Sequence, residues 1–190
     1  IVAAKAAYRF LDNENVTLQA ILQPHYEATE GRLREHPLVL VAQDTTTLNY
    51  TPHHKTEGLG PISDKGQVQG LLVHDTLSFT EQGIPLGLLH VQWWARKYIS
   101  GKKDHADKPI EEKESIKWIE SYRAVSAVQN RCRQTRLVVL TDREGDIHEL
   151  FAEQQKTPHG ADLLVRAERT RQRKVADGDA EDPVGELLWT

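Results

Sequence analysis

Two apolar runs in this chain end on aspartate. Residues 38–42 lead through Gln43 to Asp44, and residues 137–140 lead through Thr141 to Asp142. A continuous apolar run of that length reads as a buried strand. If the two strands lie side by side and parallel, both carboxylates emerge at one edge of a sheet. Oxygen ligands in that position suit a hard cation such as Mg2+. Two carboxylates with a substrate phosphate can hold two such ions, ~3.5–4 Å apart, for in-line phosphoryl chemistry. Aspartate at a strand end is also an ordinary turn or helix-capping residue. On the pattern alone both readings stand.

Other groups compete for a role. Asp142, Glu144, Asp146, His148 and Glu149 crowd one short segment. Asp146 is spaced to cap a following helix, with Glu149 three residues on as in a capping box. That leaves Asp142 as the functional acid and His148 as a helix-surface or packing residue. His53 and His54 sit in a Gly-rich loop and read as solvated, and His74 and His90 fall on different strands. Gly58 and Gly60 are not followed by the Gly-Lys-Ser/Thr of a phosphate-binding loop. Trp93 and Trp94 are adjacent on a strand and face opposite ways, so at most one is core. Arg166, Arg169, Arg171, Arg173 and Lys174 form a basic cluster with one acid, Glu168. Such a cluster at a strand end either holds phosphates or is a solvated charge run.

The elements that must position these residues follow from pattern and punctuation. Residues 3–10 read as a helix, broken at 12–15. Thr17 caps a second helix that stops near Pro24, and a third spans 26–35. After the strand at 38–42, residues 53–70 form a loop rich in Gly, Lys, Pro and Ser. Residues 68–79 and 84–94 are strands joined as a hairpin, followed by a polar, basic excursion over 96–108. A helix is expected over 111–130, with glutamates in its first turn at the positive end of its dipole. Its apolar stripe runs through Ile116, Ile119, Tyr122 and Val125 to Val128. The strand at 137–140, a short helix over 146–155 with Ile147, Leu150 and Phe151 on one face, and a third apolar strand at 162–166 complete the pattern. The order β-β-β-α-β-α-β, with an early hairpin and later crossovers, makes a mixed sheet flanked by helices, an α/β architecture. Residues 1–37 are a helical lead-in, 38–166 the core, and 167–190 a linker or the start of an insertion.

Composition bounds the rest. The 190 residues are 38% hydrophobic, enough for one core, and no apolar run is long enough for a membrane-spanning helix. Residues 1–10 lack a long apolar segment with a cleavage site, so they are not expected to be a signal peptide. One cysteine, Cys132, excludes an internal disulfide and a multi-cysteine zinc site, and a reducing cytoplasmic setting is the default. A net charge of −4 argues against a generic basic coat for nucleic acid. It does not exclude a nucleic-acid enzyme, whose metal-binding carboxylates add negative charge. With no methionine and an apolar stretch at its end, the chain is expected to be a piece of a longer protein.

Several motifs in register carry a resemblance. Asp44 with Thr45 and Thr46, Lys65-Gly66, Leu88 to His90 with Trp93 and Trp94, Glu112 to Ser115 with Lys117 and Trp118, and Asp142 to His148 occur in order. So do Ala6 to Phe10 and Asn15-Val16. From Ala6 to about Arg166 the chain resembles the catalytic domain of bacterial cut-and-paste transposases of the insertion-sequence-four family, transposon-five type. The resemblance implies a ribonuclease-H-like fold with a DDE triad, in which Asp44 is the first acid and Asp142 the second. The family's third acid belongs to a Tyr-x-x-Arg-x-x-x-Glu signature, which this sequence lacks. The implied parent activity is DNA nicking, hairpin formation and strand transfer with two Mg2+ ions, Mn2+ substituting. Asp44 would bridge both ions and Asp142 would hold one. Transposon-end and target DNA are the implied partners, met by a dimer on the bacterial nucleoid. With the third acid missing, this chain alone is expected to be inactive. Two alternatives stay open: a regulatory or DNA-binding remnant without chemistry, and a host nuclease of the same fold. The motifs away from the acids count against the nuclease.

Overall fold

The computed structural model describes residues 2–63, 66–97 and 108–168, and the two-residue strands Lys174–Val175 and Glu186–Leu187. Four α-helices are found among them: α1 (Val2–Leu11), α2 (Leu18–Leu33), α3 (Ile116–Arg131) and α4 (His148–Lys156). The main sheet holds β1 (Leu38–Asn49), β2 (Gly60–Pro61), β3 (Gln69–Thr80), β4 (Pro85–Trp94), β5 (Arg136–Thr141) and β6 (Asp162–Val165). Lys174–Val175 (β7) and Glu186–Leu187 (β8) pair with each other.

The sheet is mixed, in the order β2-β3-β1-β5-β6 with β4 also on β3. β1, β3 and β4 run antiparallel. β5 lies parallel to β1, and β6 parallel to β5. The α/β expectation holds at this level. Alternation in β1, β3 and β5 divides the sheet into two faces. Val39, Val41, Leu72, Leu137 and Val139 face the helices and are buried. Of these, Val39, Val41, Leu137 and Val139 pack with Leu33 of α2, with Trp118, Ile119, Tyr122, Val125 and Val128 of α3, and with Leu150 of α4. The second face carries half-buried Leu40, Leu77, Phe79, Val138 and Leu140.

Several boundaries differ from expectation. The two lead-in helices around Pro24 are one helix, with Thr17 accepting from the Ala20 amide at 3.1 Å as its cap. An interior proline removes a backbone bond and costs ~3 kcal/mol. Contacts further along offset it: Leu33 is core, Arg32 Nε donates to the Leu86 carbonyl at 2.5 Å, and His25 Nε2 accepts from the Leu88 amide at 3.2 Å. The helix expected over 111–130 is split. Ile110–Glu112 is a 3-10 turn, and α3 begins at Ile116. At the break, Glu114 is pulled sideways into a two-point ion pair with Arg96 at 2.6 and 2.8 Å. The Gly-rich loop contributes the short strand β2, paired with Gln69 and Gly70 of β3.

Candidate functional site

β1 and β5 are registered with Ala42 opposite Leu140. Two residues further on come Asp44 and Asp142, at the same level. Asp142 directly follows the end of β5, but β1 runs on past Asp44 to Asn49, so the strand end expected at Asp44 is corrected: continued pairing with β3 keeps that stretch extended. Both are exposed, and alternation puts both on the second face. The other side of β1 adds a residue that the sequence reading missed. Asp75 of β3 is the cross-strand partner of Asp44. On the far side, Arg166 follows directly after the Thr141–Val165 pair, and its amide donates to the Thr141 carbonyl at 3.0 Å. Asp75, Asp44, Asp142 and Arg166 therefore form a row across four strands. Asp75 had no signal of its own, since it lies mid-strand with no turn or apolar run ending on it.

Each acid is held locally. Asp44 accepts from the amide of Thr45 at 2.8 Å, and Asp142 from the amide of Glu144 at 2.9 Å. Asp142 thus caps the 3-10 turn Arg143–Gly145. The capping role expected of Asp146 is corrected. It ends that turn, is buried, and accepts from the Glu168 amide at 2.8 Å, while Ile147 precedes α4 without a side-chain cap. Burial decides this, because Asp146 is turned inward to tie down the chain after β6. Burial together with the facing Asp44 charge raises the pKa of the Asp75 carboxyl.

Behind the row, on the helix-covered face, lies a polar layer. His74 is fully buried, with Nδ1 at 2.9 Å from Thr45 Oγ1 and Nε2 at 3.3 Å from Gln43 Oε1. Its ring stands edge-on to Trp118 at 4.6 Å. Burial, then the charge of Lys117, then His90 lower its pKa to about 3, so the ring is neutral. His90 on β4 is likewise pushed down by burial, with Glu120 opposing. The Lys117 amine is buried between the Trp94 and Trp118 rings, 5.7 and 5.5 Å from their centres, and pairs with Glu144 at 3.3 Å. That pair fixes the turn after Asp142 to α3. For Glu114, burial would raise the pKa, but hydrogen bonds from Arg96 and Trp94 bring it below the usual range.

The remaining candidates are distributed as follows. His53, His54 and His148 are exposed. Trp93 is 56% exposed, whereas Trp94 turns inward and donates to Glu114. Cys132 is buried. Phe151 is more exposed than its neighbour Leu150, so the α4 stripe is narrower than expected. Lys65, Lys102, Lys103, Arg169, Arg171 and Arg173 lie outside the described residues, and Lys174 lies in β7.

The donor set suits Mg2+ in kind: carboxylate oxygens, exposed, on adjacent strands. Mg2+ commonly keeps several waters and takes only one or two carboxylates. Among the described residues, no three His, Cys, Asp or Glu side chains gather as a metal-holding group. This agrees with the row, because Asp75 and Asp142 are two strand spacings apart, ~9–10 Å between backbones. No helix among the described residues is long and apolar enough to cross a membrane. No protein-family model matches the chain.

Proposed function

We propose that this chain carries two acids of a DNA-transposase catalytic core with a ribonuclease-H-like fold, Asp44 and Asp142 being ligands for Mg2+. The observation that carries the reading is the parallel register, which brings Asp44 and Asp142 level just beyond the point where β1 and β5 stop pairing. The topology supports it: three antiparallel strands with β1 innermost, then two parallel strands reached through helices. So do the sequence motifs, which extend well beyond the acids. A bound divalent ion would activate water and stabilise the leaving 3′-oxygen of a DNA phosphodiester. The chain's own residues supply the rest. Asp44 and Asp142 furnish negative oxygens at one edge, and backbone amides orient each carboxylate. Lys117 and Asp146 fix the turn behind Asp142. Arg166 stands at the same edge to meet a phosphate, and transposon-end and target DNA are the proposed partners.

The test is Mn2+ titration of the isotope-labelled chain. Paramagnetic broadening is expected first at the amides of Thr45 and Arg143. Asp44→Asn and Asp142→Asn should each remove it. Broadening centred instead on the glutamates of residues 111–114 would overturn the site. With two ligands rather than three, the chain alone is expected not to nick DNA. Metal-dependent cleavage abolished by Asp44→Ala would reveal a third acid, and Asp75 is the first to examine.

A further inference from the structure

The strand that bears Asp44 is held unevenly. Up to Ala42 it is bonded on both sides, to β3 and to β5. Beyond Ala42 the pairing with β5 ends, and only β3 continues alongside. Asp44 thus sits on a stretch supported from one side. At that point the helix-covered face supplies a side-chain bracket. Gln43 and Thr45, which flank Asp44, both turn away from it and both meet the His74 ring.

We propose that His74 is a positioning residue for Asp44, bracketing its two neighbours from the opposite face of the sheet. A histidine suits this place because its two ring nitrogens lie on opposite sides of one rigid plane. With Gln43 Oε1 toward the ring, Nε2 carries the proton and Nδ1 accepts from the Thr45 hydroxyl; with the amide turned over, its otherwise unpartnered NH2 donates to Nε2 and a protonated Nδ1 donates to Thr45 Oγ1. In either arrangement one neutral tautomer serves both bonds. His74 cannot turn, since it is fully buried and packed edge-on against Trp118. It is also the cross-strand partner of Thr45, as its neighbour Asp75 is of Asp44. The same dipeptide thus sets Asp44 from both faces. Without the bracket, Asp44 would sample a wider range of positions relative to Asp142, and a cation shared by the two would be held less tightly.

The inference rests on the reading of Asp44 as a metal ligand, so two measurements are needed, only one of which involves metal. In the first, amide hydrogen exchange is compared between wild type and His74→Phe, which keeps a ring against Trp118 but loses both hydrogen bonds. Exchange at Asp44 and Thr45 should accelerate about tenfold, the scale of one or two neutral hydrogen bonds lost locally. Val39, Val41 and Val139 should change much less. His74→Gln, which keeps one donor and one acceptor, should recover much of the protection. Uniform acceleration along β1 and β5, or none at Asp44 and Thr45, would overturn the bracket. In the second, Mn2+ affinity at Thr45 and Arg143 should fall about fivefold to tenfold in His74→Phe and recover in His74→Gln. Val125→Ala, which opens a cavity at a buried core position of α3, should leave it unchanged. Equal loss in Val125→Ala would reduce His74 to a core residue and overturn the proposal. Absence of Mn2+ binding in wild type would overturn the metal reading, and the exchange result would still decide whether His74 brackets Asp44.

Discussion

Asp75 and Asp44 face each other across an antiparallel pair, and like charges so placed repel. Burial and that repulsion raise the Asp75 pKa. The native state therefore holds a proton on Asp75 more tightly than the unfolded chain does. Above the ordinary carboxylate value of 3.8, stability is lost as the pH rises through the native titration. Asp75→Asn removes the penalty and keeps the shape. The variant should melt higher than wild type at pH 7, by a free energy on the cross-strand-pair scale of about 0.2–1 kcal/mol. The advantage should shrink as the pH is lowered toward 3.8. Thermal unfolding at a series of pH values checks this, and a lower melting point at pH 7 would show that the Asp75 charge is instead satisfied. Asp44 and Asp142 were legible because apolar runs end on them. Asp75 and His74 were not, because nothing in a linear sequence says which residue faces Asp44 or lies behind it. That information is in the register of β1 against β3.

Elements show the same division. The strands, the hairpin and the α3 stripe were legible because apolar periodicity and turn residues mark them locally. Pro24 misled because proline signals a break, while the contacts that carry α2 through it come from β4, more than sixty residues away in sequence. That contact makes its own demand. Gly87 of β4 has φ 139°, which side-chain-bearing residues rarely adopt, and a Cβ there would run into the Thr29 hydroxyl of α2. Gly87→Ala should therefore destabilise by about 1–3 kcal/mol through backbone strain and overpacking. Adding Thr29→Ala should return the overpacking part but not the backbone part. Urea unfolding of the single and double variants separates the two. A Gly87→Ala midpoint equal to wild type would mean that α2 moves off β4 without cost. The split of the expected 111–130 helix has a similar origin, since the Arg96 partner of Glu114 lies on the segment after β4.

For the whole molecule, charge distribution matters more than its total. The net charge is −4, and three carboxylates stand in a row on the edge proposed to meet DNA. Phosphates approaching that edge would meet Asp75, Asp44 and Asp142, with Arg143 next to Asp142 in sequence and Arg166 level with it on the neighbouring strand. A divalent ion held by the acids would convert that edge from repulsive to attractive. Ordinarily added salt weakens a protein–DNA complex by restoring counterions. Here Mg2+ at fixed total ionic strength should instead raise the affinity of the chain for a short duplex, and Asp44→Asn should remove the Mg2+ effect. Arg166→Ala should weaken binding at every NaCl concentration and reduce the slope of log affinity against log salt by roughly one unit, as expected for one phosphate contact. Sequence preference should not change, because a phosphate contact carries no base information. Fluorescence anisotropy over a NaCl series, with and without Mg2+, reads all three effects. If Mg2+ only weakens binding, and does so equally in wild type and Asp44→Asn, the acid row does not face the DNA. If Arg166→Ala leaves the slope intact, Arg166 belongs to a solvated charge run, and the phosphates are met elsewhere.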